Sequence, residues 1–291
     1  MMNSSSPFLK NDSIDSLTHL SILFVLYNQK IDETEVYTYL KKSQLNFQWV
    51  IFDNSDENLV CDYNQKFIKP EKMLYLSYRK NLGLSKAYNF SIKKIRETSP
   101  DISWVLILDQ DTQLNQDYLS EIIFLSETSE PIIYTPQVKS KKGHLSPSSF
   151  NPSLCFNLNT KQPKQFLSFP INSGTLWPIN IFREHQFDES LFLDMIDFDI
   201  FFQLYSKDEN IIVKPMASII NQSFSGDGFS TLSKDLNRFK IYTKDIMVFS
   251  KKWSVPSRYI QSLLIKRALK LNWHYKNFKF TQSLRTDSHK Y

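Results

Sequence analysis

Trp104-Val105-Leu106-Ile107-Leu108-Asp109-Gln110-Asp111-Thr112 is an apolar run that stops abruptly at two acids one residue apart. Five consecutive apolar residues read as a strand buried on both faces, the kind found in the parallel sheet of an α/β protein. The acids then fall where the strand leaves the sheet, and ligands of open α/β folds gather outside the carboxyl ends of such strands. Two carboxylates at that corner can hold a divalent cation through hard oxygen ligands, and the cation can neutralise a diphosphate. Asp111 is the candidate metal ligand, and Asp109 can reach a ribose hydroxyl or the metal through water. An Asp-x-Asp pair by itself is common, and acids at a strand end also cap the next helix. Its position after the fourth buried strand in a row gives the pair its weight.

The same pattern repeats upstream. Residues 20–26 form a first buried strand closing on Tyr27-Asn28, and a helix follows over 32–42. Residues 47–52 form a second strand that ends in Asp53-Asn54-Ser55. Residues 73–76 form a third, followed by Asn81-Leu82-Gly83-Leu84 and a helix over 85–96. This β-α-β-α-β-α-β order predicts an α/β fold with a doubly wound, largely parallel sheet and right-handed crossovers. Downstream the spacing predicts a helix over 114–126 and a strand over 132–136. A Ser-, Pro-, Asn- and Lys-rich loop or irregular hairpin follows over 139–164. Beyond it come an ordered stretch over 169–177, a helix near 180–185, a helix running through Tyr205, a strand over 211–215 and a loop over 221–228.

With 291 residues, 41% of them hydrophobic and 14% aromatic, the chain can bury a substantial core. Cys61 and Cys155 match no metal or redox spacing, and the five histidines show no zinc spacing. There is no Gly-x-Ser-x-Gly elbow and no Walker or dinucleotide glycine pattern. Met1 to Ser6 carry no apolar signal core, and no window approaches the roughly 18 uncharged apolar residues of a membrane span. The expectation is a cytoplasmic protein. The net charge of +5 is uneven, because residues 251–279 carry many cations and no acid. That asymmetry points to an anionic partner. Ile260, Leu263, Leu264 and Leu271 recur there at helical spacing beside Lys266, Arg267 and Lys270. The segment reads either as a basic amphipathic helix resting on an anionic membrane surface or as one packed on its own domain. A sequence pI near 8.9 spread this way is a weak nucleic-acid footprint, so no nucleic acid is expected.

Other residues carry candidate chemistry. Asp53, at the end of the second strand, can accept from the imide N–H of uracil or thymine, although Asp-Asn-Ser reads equally as a turn. Tyr27 and Asn28 either flank that base or begin a loop. Asp194, Asp197 and Asp199 lie among Phe192, Leu193, Met195, Ile196 and Phe198, a setting that desolvates carboxylates and raises their pKa toward that of a general base. Asp197, at the mouth of a helix, is the candidate base, with Asp194 and Asp199 on the acceptor side. In Asn172-Ser173-Gly174-Thr175 small residues let the backbone approach a sugar or phosphate closely, with Ser173 and Gly174 as candidate contacts.

Taken in order, Val25-Leu26-Tyr27-Asn28, Phe52-Asp53-Asn54-Ser55, Asn81-Leu82-Gly83 with Ala87 and Asn89, and Leu108-Asp109-Gln110-Asp111-Thr112 resemble a family 2 glycosyltransferase of the GT-A fold. With Asn172-Ser173-Gly174-Thr175-Leu176 and the Phe187 to Asp199 stretch, the resemblance narrows to the bacterial rhamnosyltransferase-like branch. It covers residues 20–250 and implies a GT-A sheet, mostly parallel but mixed, flanked by helices, with a C-terminal helical extension. It implies inverting transfer from a nucleoside diphosphate sugar to a hydroxyl of a cell-surface polysaccharide or lipid-linked glycan precursor. The implied donor is dTDP-rhamnose, with UDP-galactose, UDP-galactofuranose or UDP-glucose close behind, and the implied cofactor is Mg²⁺ or Mn²⁺. In that family the acids matching Asp53, Asp109 and Asp111, and Asp197 contact the base, handle ribose and metal, and deprotonate the acceptor. Asn81 and Gly83 join the nucleotide-sugar site, and Lys244 faces the diphosphate. One departure concerns the metal: where the branch has His-x-x-Gly, this chain has Asn221, a weaker ligand. The expected domains are a poorly structured leader over 1–19, a catalytic domain over 20–250 divided into a nucleotide half (20–112) and an acceptor half (113–250), and a basic helical tail over 251–291. The rival readings are a sugar-phosphate nucleotidyltransferase, although residues 26–46 contain no glycine-rich phosphate loop, and an inactive glycan-binding scaffold.

Overall fold

The computed structural model describes residues 16–149, 158, 160, 167–207, 211–222 and 230–287. Strand β4 (Trp104–Asp109) is buried on both faces. Val105 and Ile107 share one core with Ala87, Ile92 and Ile95 of helix α3 (Leu84–Thr98). Leu106 and Leu108 point into a second core, with Val36 and Leu40 of α1 (Glu35–Ser43) and Leu119 and Ile122 of α4 (Gln116–Ser126). The continuous apolar run is thus a period-2 alternation with a hydrophobic layer on each side.

Four strands run parallel in the order β3 (Met73–Ser77), β2 (Asn46–Asp53), β1 (Ser16–Leu26), β4, with α2 (Asn58–Gln65) between β2 and β3. The register pairs Leu26 with Asp53, Asp53 with Ser77 and Val25 with Asp109. Their carboxyl ends are therefore level and form one edge. β1 begins at Ser16, earlier than the sequence pattern indicates.

Beyond β4 the sheet becomes mixed. β10 (Leu176–Pro178) is antiparallel to β4 and to β6 (Ile132–Ser140), β11 (Ile212–Gln222) is parallel to β6, and β5 (Thr112–Gln113) closes antiparallel on β11. With β7 (Gly143–Ser146) paired to β6, nine strands form this sheet among the described residues. A short pair, β8 (Ser148–Ser149) and β9 (Ser168–Phe169), stands apart. The expected 139–164 loop thus starts as a hairpin, and most of its remainder, with Cys155, lies outside the described residues; of the expected 221–228 loop, Asn221 and Gln222 belong to β11 and the rest lies outside the described residues. The expected helix near 180–185 is a 3-10 turn over Ile179–Arg183. β11 does not stop at Pro215. A register shift follows the proline, and the Ala217 and Ser218 amides in that interval donate to the Glu121 carboxylate of α4 at 2.8 Å each, after which the ladder resumes to Gln222.

Helix α5 (Ile196–Lys207) is held from behind by α6 (Leu232–Lys252), a helix that the sequence analysis did not identify. Asp245 of α6 is fully buried and accepts from the backbone amides of Phe192, Leu193 and Asp194 at 3.0, 2.8 and 2.8 Å. Arg238, two turns earlier, makes a two-pronged ion pair with Asp194. At the far end Asp199 receives Lys252, Trp253 Nε1 and Gln203 Nε2. Opposite this loop, Gly83 opens α3 at φ 85° and ψ 163°, and the Leu84 amide donates to the Phe192 carbonyl at 2.7 Å. The chain continues into α7 (Ser257–Tyr275) and α8 (Lys279–Asp287). Ile260 and Leu264 of α7 enter the main core, Leu263 packs against it, and Leu271 packs with Phe239 and Phe280. The apolar stripe expected to meet a membrane is therefore turned inward, and the expected boundary at 250 falls inside α6.

Two substitutions test this clamp. Gly83→Ala places a Cβ 2.7 Å from the Phe192 carbonyl oxygen, in a backbone region that costs a non-glycine residue about 1–3 kcal/mol before the clash is counted. Asp245→Ala strips three amides of their acceptor, an expected loss of about 2–4 kcal/mol. Urea unfolding measures both, and an Asp245→Ala midpoint equal to wild type would show that the clamp contributes nothing.

Candidate active site

Asp109 closes β4 at the level strand edge, and Asp111 lies just beyond it. Gln222 Nε2, from the end of β11, donates to Asp109 Oδ2 at 2.7 Å, and the Tyr88 hydroxyl of α3 approaches Oδ1 at 3.4 Å. Burial raises the pKa of Asp109, against the pull of those donors. Asp111 is pushed up to about 7, first by desolvation and then by the neighbouring charge of Asp109.

The turn before β10 ties this corner to the second acid centre. The Asp109 amide donates to Ser173 Oγ at 3.2 Å, and Ser173 Oγ also pairs with Thr112 Oγ1 at 2.7 Å. One residue earlier, the Asn172 amide donates to Asp197 Oδ1 at 3.0 Å. A single dipeptide thus spans the carboxylate at the end of β4 and the one in the first turn of α5. Gly174 makes this close approach possible: at φ 79° its amide reaches the Ile107 carbonyl at 2.8 Å, and an added Cβ would lie 2.5 Å from Ile220 Cδ1. Asp197 is pushed up to about 7 by desolvation, against the Asn172 hydrogen bond and with smaller contributions from Asp109 and Asp194. Among the described residues both side-chain polar atoms of buried Asn172 lack a hydrogen-bond partner.

The β1–β3 side of the edge is tightly cross-linked. Asn54 and Asn81 join through their amides at 3.0 Å, Asn54 Oδ1 accepts from the Leu82 amide at 2.7 Å, and Asn81 Oδ1 accepts from the Gly83 amide at 3.0 Å. Asn28, at φ 47°, exchanges hydrogen bonds with Asp56 and donates its amide to Ser55 Oγ. The Tyr27 ring is half exposed. Asp53 is fully buried, and its carboxylate already accepts from Asn64 Nδ2 and the Tyr75 hydroxyl at 2.7 Å each and from the Ser55 amide at 3.1 Å.

Not every expected residue reaches the cleft. Asp199, 1% exposed, is enclosed in the α5–α6 latch, because residues two apart on a helix project to opposite faces and Asp197 takes the open one. Asp194 is committed to Arg238. Lys244 is exposed on α6, and among the described residues no hydrogen bond joins it to the site. Asn221 is exposed on β11, and strand alternation gives its neighbour Gln222 the contact with Asp109. Gln222, Tyr88, Asp245 and Arg238 were missed from the sequence. Period-2 counting from the buried Ile220 identifies Gln222, and a buried tyrosine hydroxyl on an amphipathic helix requires a partner. The two clamp residues lie on the helix that went unread.

A sequence profile described as Glycosyl transferase family 2 matches residues 21–192, more than half of the chain. No curated protein matches the chain in sequence. Among solved structures, S. aureus TarS 1–349 superposes at a TM-score of 0.49 with 15% identity, over 93% of this chain and 91% of that one. The same fragment in complex with UDP gives 0.46 and 18%, over 88% and 72%. GalNAc-T7, solved with UDP, GalNAc and Mn²⁺, shares the fold at a TM-score of 0.53 with 13% identity, over 94% of this chain and 57% of that one. Because the matched residues take in the level strand edge, the Asp109-Gln110-Asp111 corner and the Asn172-Ser173 bridge, this chain belongs to glycosyl transferase family 2 and is built on the GT-A fold.

Proposed function

We propose that this glycosyltransferase moves a sugar with inversion from a nucleoside diphosphate sugar to a hydroxyl of a cell-surface polysaccharide or lipid-linked glycan precursor. dTDP-rhamnose is the first donor by motif resemblance, with UDP-galactose, UDP-galactofuranose and UDP-glucose as rivals. The observation that carries the reading is the Asn172-Ser173 bridge, which joins a diphosphate-handling acid pair to a desolvated carboxylate suited to proton abstraction. In the transfer, the acceptor oxygen bonds to the anomeric carbon as the bond from that carbon to the diphosphate breaks. Asp197 takes the hydroxyl proton, and the Asn172 amide holds the ionised carboxylate in position. Tyr27 and Asn28 flank the base, and Asn81 joins the nucleotide-sugar site. Asp53 supports the wall behind them through Asn64 and Tyr75, and direct contact with the base requires exchanging one of those bonds.

The residues at the Asp109 corner fit the implied Mg²⁺ or Mn²⁺. Among the described residues Gln222 Oε1 is a buried oxygen without a hydrogen-bond partner, on the same amide that touches Asp109. Asp109, Asp111 and this oxygen would hold the ion, which when bound supplies positive charge against the departing diphosphate. Among the described residues no group of three or more His, Cys, Asp or Glu forms a metal site. Substrate oxygens and water would complete the shell, as is usual for Mg²⁺. Gln222 in this place weakens the case for an inactive scaffold, which rested on Asn221.

The base assignment predicts a pH profile. The folded chain keeps a proton on Asp197 up to about 7, whereas the unfolded chain releases it near 3.8. Its contribution to stability is therefore full below about pH 4 and is lost as pH rises through 7. Activity runs the opposite way, with kcat rising to a plateau above an apparent pKa near 7. Asp197→Asn is expected to cut kcat by about 10²–10⁴-fold while leaving donor affinity nearly intact. Loss of donor binding together with activity would remove Asp197 from that role.

The metal corner is tested by thermal shift with dTDP, UDP and their sugars, with and without Mn²⁺. Saturation at a hundred times Kd is worth about 2.7 kcal/mol. The expected result is a Mn²⁺-dependent rise in Tm with one nucleotide that is absent in Asp111→Ala and reduced in Gln222→Ala. A shift that is equal without metal, or that survives Asp111→Ala, would sink the assignment.

A further inference from the structure

The inward turn of the first apolar stripe of α7 leaves a second one in solvent. Ile260, Leu264, Ala268 and Asn272 are buried at four-residue intervals. The next helical row, Ile265, Leu269 and Trp273, is 50, 55 and 88% exposed, and Phe278 just past the helix is 74% exposed. Residues four apart lie on one line of a helix, so the three form a continuous apolar ridge. Arg258 lies about two turns before Ile265 on the same face, Lys266 and Lys270 flank the ridge, and Lys276 and Lys279 follow its C-terminus, all exposed. Among the described residues none of these five makes an ion pair, whereas Lys252 pairs with Asp188 and Asp199, and Arg267 lies over the Tyr242 ring. From Ile246 to Thr286 the chain contains no Asp or Glu. Of the two acids of the packed helix α6, Asp235 is hydrogen bonded to Tyr275 and Ser230, and Asp245 accepts from the 192–194 amides.

We propose that this face of α7 docks on an anionic lipid bilayer, with Trp273, Leu269 and Ile265 entering the headgroup boundary and the cations above them meeting lipid phosphates. Charge selects the occupant. A second copy would bring the same unpaired cations against themselves, whereas an anionic surface attracts each Lys or Arg near it and accepts a Trp-bearing apolar ridge. No helix of the described residues is long and apolar enough to cross a membrane, so the contact is one of surface lying. This surface takes no part in the transfer chemistry, and its test is independent of the donor.

The experiment is vesicle co-sedimentation of the full chain with phosphatidylcholine alone and with added phosphatidylglycerol, at low and high salt. Two variants accompany it, Ile265→Ser with Leu269→Ser and Trp273→Ser, and Lys266→Glu with Lys270→Glu. Far-UV circular dichroism confirms that each variant is folded, which exposure of every altered side chain favours. Salt-sensitive binding to the anionic vesicles alone, weakened about ten-fold or more by each variant set, supports the proposal. Absence of binding by wild type, or binding that neither set alters, overturns it. A wild-type dimer in sedimentation velocity that the serine variant dissociates would also overturn it, by assigning the ridge to self-association.

Discussion

Three carboxylates, those of Asp109, Asp111 and Asp197, share one poorly solvated region, and burial raises the pKa of each. Their ionised forms are disfavoured by lost water and, for Asp111 and Asp197, by the charge of Asp109. The fold tolerates this because donors are aimed at them: Gln222 and Tyr88 at Asp109, and the Asn172 amide at Asp197. Among the described residues no Lys or Arg is hydrogen bonded to any of the three. Arg238 is committed to Asp194, and Lys252 to Asp188 and Asp199. Ionisation of these groups therefore builds negative charge that no basic side chain here neutralises, and a cation arriving with a diphosphate would relieve it. What these three groups contribute to stability is therefore lost as they ionise.

Holding such groups in place requires walls that do not relax. On one side the wall is the level edge of four parallel strands, a by-product of right-handed crossovers and a core on each face. On the other side it is the 192–194 loop, which has no ladder of its own. Its three amides end on Asp245, the Phe192 carbonyl takes the Leu84 amide, and Met195 adopts φ 63° to turn the chain into α5. A non-glycine residue at positive φ persists where its surroundings over-determine it. Here the Asp245 clamp, the Arg238 pair and the Asp199 latch do so.

Much of this was legible in the chain. The four strands and their polar ends follow from apolar runs punctuated by Tyr27-Asn28, Asp53-Asn54 and Asp109-Gln110-Asp111, because parallel strands buried on both faces read as continuous hydrophobic segments. Other parts were legible but unread. Leu236, Phe239, Ile246 and Phe249 recur at helical spacing after the Thr231 cap, which is the α6 signature. Helical geometry alone separates Asp197 from Asp199, and strand alternation separates Gln222 from Asn221. Pro215 hid the continuation of β11, since a proline in a strand signals an end unless a bulge re-satisfies the ladder. That rescue depends on Glu121, a residue of another element, and no local pattern announces it. The same holds for Asp245: an acid on an amphipathic helix gives no sign that it will meet three amides some fifty residues upstream.

The position of α7 explains why its two faces can be assigned separately. Its inner row, Ile260, Leu264 and Ala268, packs on the core and on α6, and Arg267 lies 4.0 Å from the centre of the Tyr242 ring, one turn before the clamp at Asp245. Removing that row would loosen the helix that positions the 192–194 loop, so a loss of activity there would say nothing about surfaces. The outer row touches none of this. Ile265, Leu269 and Trp273 keep half or more of their area in solvent, so burial within the chain gives little reason for large apolar side chains at those positions. Scattered exposed apolar residues are ordinary, but a helical ridge of them set in an acid-free basic field is a surface with a chemical preference. The preference is for something apolar beneath and anionic around it, which describes the boundary of a charged bilayer better than it describes water.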